Sequence, residues 1–187
     1  MADNKFELDP GPEWPPLHVT IVDPDPSWAP RFELEAALLR GALGSRLIEI
    51  HHFGSTAVPG LAAKPIVDIA IVVEGEPADL ALEPLRAIGY VHRRRTHRDD
   101  LLFLGKGDGH EVHLQVFGVG NPEVRRLLRL RDYLRSHPEE SQRYADLKRA
   151  LADKHAGAVR YYARDKFFEL QELNARAERW DTERLPS

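Results

Sequence analysis

The sequence predicts an α+β fold, and two observations carry that reading. Apolar residues alternate over 47–53 and along the second arm of a hairpin over 101–117 and fill both faces of a run over 65–73, whereas they recur at helical spacing over 28–43 and from Asn121 onward. The 187 residues suffice for a single domain with a full core.

Residues 1–16 hold Pro10, Gly11, Pro12, Pro15 and Pro16 among acids, so they can close neither a helix nor a ladder and read as a flexible arm. The domain body then divides into an α/β core over 17–120 and a helical part over 121–187. His18 to Val22 is a short strand candidate. Asp23-Pro24-Asp25-Pro26-Ser27 makes a turn, with Ser27 as N-cap and Pro30 in the first turn of a helix. Trp28, Phe32, Leu34, Leu38, Leu39 and Leu43 supply its apolar stripe, and Gly44 stops it.

The strand over 47–53 runs into Gly54-Ser55, a turn-rich segment follows, and the strand from Pro65 to Val73 carries one acid, Asp68. Its Val67, Ile69, Ile71 and Val73 fall on one face, and Ile66, Asp68, Ala70 and Val72 on the other. A strand apolar on both faces belongs inside a sheet. An acid inside such a strand costs free energy unless a cation, a metal or donors meet it. A Gly-Ser turn with free N–H groups beside an inward carboxylate can hold a phosphate and its metal ion, although a buried β-unit whose Gly and Pro only make turns has the same pattern.

Residues 77–89 read as one short helix, from Pro77 to Gly89, and Tyr90 starts a third strand. His92, Arg93, Arg94, Arg95, His97 and Arg98 form the densest basic run, a solvated loop or a phosphate-gripping one. Leu101 to Lys106, Gly107-Asp108-Gly109 and His110 to Phe117 read as a β-hairpin. In its second arm Glu111, His113, Gln115 and Phe117 share a face, which suits a site floor or a solvent-facing row. Asn121-Pro122 opens the next helix, with Leu127, Leu128, Leu130, Tyr133 and Leu134 buried and Arg125, Arg129, Arg131 and Arg135 facing elsewhere. Ser136-His137-Pro138-Glu139 fits a capping box for a helix with a Tyr144, Leu147, Leu151 stripe. Beyond Gly157, Val159, Tyr162, Phe167, Leu170, Leu173, Ala177 and Trp180 mark a long final helix.

A net charge of −4, from 26 basic and 30 acidic residues, disfavours a general grip on nucleic acid and leaves only the basic loop 92–98 for one. No cysteine is present, which excludes disulfides, thiolate metal sites and Cys nucleophiles. Acids within the first ten residues and the lack of an apolar run of ~20 residues point to a cytoplasmic protein with no membrane partner.

Gly54-Ser55 after a strand, with an acid on the next, resembles the nucleotidyltransferase superfamily. More closely, the chain resembles the GrpB family of nucleotidyltransferase-like proteins. The residues carrying this are Ile21 to Trp28, His52 to Ile69, Glu111-Val112-His113-Leu114, Arg131 to Arg135, Tyr144 to Lys148, and Lys166 near Tyr162. The resemblance covers about 19–180 and implies a mixed, mostly antiparallel sheet flanked by helices, with a helical C-terminal part. Active members of the superfamily place two carboxylates two residues apart on this strand and a third on a neighbour. Asp68 matches the first, Ala70 stands where the second belongs, and Glu111 or His113 could take the third. The missing acid removes a ligand from a two-metal arrangement.

Two functions follow from the resemblance. In the first, an enzyme transfers a nucleotidyl or phosphoryl group: Gly54, Ser55 and Thr56 hold phosphates, Lys64, Lys148 and Lys166 neutralise them, Asp68 and Glu111 hold Mg²⁺, and His113 or Glu111 completes the shell or acts as base. For Lys148 and Lys166 a solvated helix face is the commoner role. In the second, a degenerate domain binds a nucleotide or phosphorylated metabolite, or scaffolds a partner, near coenzyme A biosynthesis. A transition-metal site of His52, His110 and His113 ranks below both, because alternation puts His110 and His113 on opposite faces.

Removal of residues 1–16 is expected to leave the unfolding midpoint nearly unchanged; a loss above ~2 kcal/mol in denaturant titration would show that the arm packs on the body.

Overall fold

A computed structural model describes residues 19–93, 102–107, 111–156 and 159–184. In chain order the elements are α1 (Trp28–Leu43), β1 (Leu47–Phe53), β2 (Val67–Val73), α2 (Glu83–Ala87), β3 (Val91–His92), β4 (Leu102–Lys106), β5 (Val112–Gly118), α3 (Pro122–Ser136), α4 (Pro138–Lys154) and α5 (Val159–Arg184). Five strands form one sheet in the order β1-β2-β5-β4-β3. Only the β2 and β5 pairing is parallel; the other three are antiparallel. This is the α+β fold with a mixed, mostly antiparallel sheet that the sequence and the resemblance predict.

β2 lies inside the sheet because both of its faces are apolar. One face sends Val67, Ile69, Ile71 and Val73 into a core with Leu104, Leu114 and Val116 of the sheet and Leu39 and Leu43 of α1. The other puts Ala70 and Val72 with Phe53, Phe103 and Phe117 beneath Val124, Leu127 and Leu128 of α3. A third core joins Val58, Leu61 and Ala62 of the β1–β2 connection to Tyr133, Leu134, Tyr144, Ala145, Leu173 and Ala177 of the three C-terminal helices. A buried polar link, not foreseen, ties α1 to the sheet. The Tyr90 hydroxyl donates to Glu35 Oε2 at 2.9 Å and Lys106 Nζ donates to Glu35 Oε1 at 2.7 Å.

Several boundaries differ from the sequence reading. Ser27 is itself helical and caps nothing; Asp25 Oδ1 instead accepts its N–H at 2.8 Å. Leu34 and Leu38 of α1 are exposed, and the buried face is Trp28, Ala36, Leu39 and Leu43. The short helix over 77–89 is broken into a 3₁₀ turn, Pro77–Asp79, and α2. The imide at Pro84 has no N–H for Leu80, so a helix can begin there but cannot run through. The strand candidate at 18–22 reduces, over its described residues, to one bridge between Val22 and Ala63. Asn121 does cap α3, its Oδ1 accepting from Glu123 N at 2.9 Å. The capping box at Ser136 does not form, because that hydroxyl donates back to Asp132 O at 2.9 Å and His137 becomes the first residue of the junction. Phe167 is exposed rather than buried. The arm 1–16, most of the basic run (94–98), Asp108 to His110 and Gly157 lie outside the described residues.

Leu114, fully buried at the centre of the first core, is the position where truncation should cost most. Leu114→Ala is expected to lower the unfolding free energy by ~2–5 kcal/mol in a denaturant titration.

Candidate functional site

β1 ends at Phe53, directly opposite Asp68 on β2. The chain turns there through Gly54, whose φ of 72° is one that side chains rarely tolerate. A Cβ on Gly54 would also sit 2.5 Å from Asp68 Oδ2, so the backbone of the turn lies against the carboxylate. Ser55–Ala57 then forms a single 3₁₀ turn.

The C-terminal helices hold this connection in place. Arg131 Nη1 donates to His52 O at 3.0 Å, and Arg135 Nε and Nη2 donate to Ala57 O at 2.9 and 2.7 Å. From α4, Lys148 Nζ meets Ser55 Oγ at 2.9 Å and donates to Ala62 O. Buried carbonyls need donors, and here α3 and α4 supply them. Arg131 and Arg135 thus turn toward the connection, not away from the core region as their spacing had indicated.

Asp68 and His113 are register partners on the parallel strands, and His113 Nδ1 lies 3.2 Å from Asp68 Oδ1. Burial pushes the Asp68 carboxyl up; the hydrogen bond from His113, with the positive charge of His113, Lys64 and Lys166, outweighs it and holds the group below the ordinary carboxylate range. The ring of Phe103 stands edge-on to His113 at 5.1 Å. Lys148 is 2% exposed, and burial, helped by the charges of Lys166 and Arg149, lowers its ammonium to about 7 against the pull of Asp68. Its Nζ sits 4.6 Å over the Tyr144 ring, and Lys166 Nζ lies 5.7 Å from the Tyr162 ring. Both tyrosines are buried, which raises their hydroxyl pKa values.

The fold therefore brings Gly54, Ser55, Asp68 and His113 together with Lys148, while Lys64 and Lys166 stand near enough to bias the charge of Asp68. Thr56 is buried and committed elsewhere: its hydroxyl donates to Ile66 O and meets His52 Nε2, each at 3.1 Å. Glu111 precedes β5, is exposed, and lays its side chain where a Cβ of Gly107 would fall. Ala70 is fully buried in the second apolar core. His52 lies on the other face of the sheet, its ring stacked on Phe32 with centroids 4.8 Å apart. Among the described residues, no three His, Cys, Asp or Glu side chains gather as a metal-binding group.

Sequence reasoning missed the burial of Lys148, for which a solvated face seemed commoner. The signal was present: Tyr144, Lys148 and Leu151 follow one another at i, i+4 and i+7 on α4. A cavity of about 410 Å³ between α4 and α5 is lined by Glu140, Arg143, Leu147, Glu169 and Arg176, with Tyr144 and Leu173 of the third core, and it includes neither Ser55, Asp68, His113 nor Lys148.

Comparison with known proteins adds the following. A family model described as GrpB protein matches residues 18–176. A UPF0157 protein of Halalkalibacterium halodurans is 38% identical over 165 residues, which span 85% of this chain and 82% of that one. A dephospho-CoA kinase of Mycolicibacterium paratuberculosis is 30% identical over 192 aligned residues, covering 87% of this chain but 46% of the kinase. The crystal structure of conserved protein GrpB from Enterococcus faecalis aligns with a TM-score of 0.78 at 31% identity, covering 86% of this chain and 99% of that chain.

His52 gives a pH test of the brace under the turn. Burial, together with Arg135 and Arg131, lowers its pKa from 6.5 to about 4 against the pull of Asp68. The unfolded chain takes up that proton near 6.5, whereas the folded chain refuses it until about 4. The contribution is thus complete above pH 6.5 and is lost as pH falls toward about 4. The loss should be of order 3 kcal/mol at most. Unfolding curves of His52→Gln, which keeps a donor for Thr56, should lack that portion of the pH dependence.

Proposed function

The chain belongs to the GrpB family, and from that premise we propose that it binds the phosphate groups of a nucleotide or phosphorylated metabolite between the Gly54-Ser55 turn and the C-terminal helices. One observation carries the reading: the Gly54-Ser55 turn, Lys148 and the Asp68–His113 pair meet in one place, within electrostatic reach of Lys64 and Lys166. Lys64 and Lys166 lower Asp68 by their charge, His113 bonds it, and Lys166 also presses on the buried Lys148. Cationic side chains attract an anion, and a glycine turn admits a phosphate close to backbone.

Mg²⁺ enters this reading with the ligand. The ion commonly takes one or two protein carboxylates and completes its shell with substrate phosphates and water. Asp68 is the carboxylate placed to supply one such ligand, and a bound ion would draw charge from the phosphate oxygens, easing nucleotidyl or phosphoryl transfer. Asp68, held ionised by His113, needs no proton loss to take that part. The likeness to a protein named dephospho-CoA kinase favours a coenzyme A intermediate among the phosphorylated ligands, with the domain acting as a binding partner of such chemistry. No described helix is long and apolar enough to cross a membrane.

The test is a thermal-shift and calorimetric titration of nucleoside triphosphates and coenzyme A intermediates, with and without Mg²⁺. A true ligand at a hundredfold excess over Kd should stabilise the protein by ~2.7 kcal/mol. Lys166→Ala should weaken that ligand by about tenfold or more, as expected on loss of a charged hydrogen bond of ~1.5–3 kcal/mol. Asp68→Asn should abolish any Mg²⁺ dependence and leave the fold intact. Failure of every phosphorylated compound to bind at millimolar concentration would refute the proposal.

A further inference from the structure

We propose that Ser55 and Lys148 form a nucleophile and base pair, through which Ser55 Oγ accepts a phosphoryl group covalently from a nucleoside triphosphate. The inference rests on the phosphate-binding reading for its donor, but its central observation is separate. Ser55 Oγ and Lys148 Nζ are 2.9 Å apart although 93 positions separate them in the chain. Ser55 is part-exposed and can meet a ligand, whereas Lys148 is almost wholly enclosed.

The partners of Lys148 are all uncharged. Its contacts are a hydroxyl, a carbonyl and an aromatic face. Among the described residues no carboxylate lies within ion-pair distance of it, and a buried ammonium without one is costly. A neutral amine has two N–H groups and one lone pair. One N–H serves Ala62 O, and the lone pair is then available to the Ser55 hydroxyl proton. The lowering of Lys148 to about 7 agrees with this geometry. A serine hydroxyl within hydrogen-bond reach of a buried neutral amine is the arrangement that activates serine in Ser-Lys enzymes.

In the step itself, Ser55 Oγ attacks the terminal phosphorus. The Oγ–P bond forms, the bond from that phosphorus to the bridging oxygen breaks, and the nucleoside diphosphate leaves with the electron pair. The hydroxyl proton passes to Lys148 Nζ, which becomes an ammonium beside the new phosphoserine. Nothing is oxidised or reduced. Lys64 and Lys166, already near Asp68, would carry the charge of the departing diphosphate.

The experiment treats the full chain with ATP and, separately, with an alkyl fluorophosphonate, which reports an activated serine without needing the phosphate-binding residues. Adducts are located by intact mass and peptide mapping. The wild type and Ser45→Ala, at an exposed serine away from the site, should both carry the adduct at Ser55, and Ser55→Ala should carry none. The rate of fluorophosphonate labelling should rise with pH and level off above about 7, following the free amine of Lys148. Lys148→Arg keeps the donors but stays charged, and should label ~100-fold more slowly or less, the range of a lost general base. Should Lys148→Arg fail to fold, the pH profile of the wild type decides instead, since a merely structural lysine would leave the profile flat. ATP binding with no adduct at Ser55 from either reagent would overturn the pair and leave the phosphate-binding proposal standing. Lys148-dependent fluorophosphonate labelling without binding of any phosphorylated compound would support the activated pair and overturn the phosphate-binding proposal. Labelling unchanged in folded Lys148→Arg would also overturn the pair.

Discussion

The carbonyl groups of the connection between β1 and β2 are met by cations from the C-terminal helices, and the rest of the site depends on that meeting. Arg131 reaches His52 O, Arg135 reaches Ala57 O twice, and Lys148 reaches Ala62 O. Without them a turn-rich segment would bury acceptors with no donor, at a cost of ~1–3 kcal/mol for each. With them, the segment can be packed apolar side down: Val58, Leu61 and Ala62 join Tyr133, Leu134 and Leu173 in one core. The helices thereby do more than cover the sheet. They fix where the Gly54-Ser55 turn stands relative to Asp68.

The two faces of the sheet have different jobs. The α1 face is closed by branched and aromatic side chains around Ile69, Leu114 and Leu39, and its buried polar link, Tyr90 to Glu35 to Lys106, is internally satisfied. The opposite face is apolar only along part of its length. Ala70 and Val72 are sealed by α3, whereas Asp68 and His113, one step toward the turn, keep side chains 28% and 25% exposed. A carboxylate at that edge can remain ionised because the imidazole and nearby lysines offset its desolvation. Ala70, two residues on from Asp68 and on the same face, is part of the seal.

Lys148 stands apart from the other lysines because it is enclosed and has neutral partners. A buried amine can change its charge near neutral pH, where an exposed lysine cannot. The same burial that anchors α4 to the turn therefore also sets Lys148 apart chemically from the exposed lysines.

The fold was legible in the sequence because its determinants are local. Alternation marked β1 and the second hairpin arm, a nearly all-apolar run marked β2, helical spacing marked α3 to α5, and Asn121-Pro122 announced the start of α3. The strand patterns put Asp68 on a strand otherwise apolar and His113 on its neighbour in a row with Gln115 and Phe117, and their pairing followed once β2 and β5 lay parallel in register. Local rules failed where two neighbours offered the same chemistry. Asp25 rather than Ser27 bonds the backbone before α1, and the hydroxyl of Ser136 turned back on its own helix. They also could not tell that Glu111, one residue short of β5, folds onto the Gly107 turn instead of joining the row begun by His113. The tertiary structure alone decided which cation meets which carbonyl: Arg131 and Arg135 act across 79 and 78 positions, and Lys148 across 86. Periodicity records which face of a helix is apolar, but the direction of a long side chain at the edge of that face is set by the crossing of helix over turn. That crossing is a property of the assembled cores, and no stretch of neighbouring residues contains it.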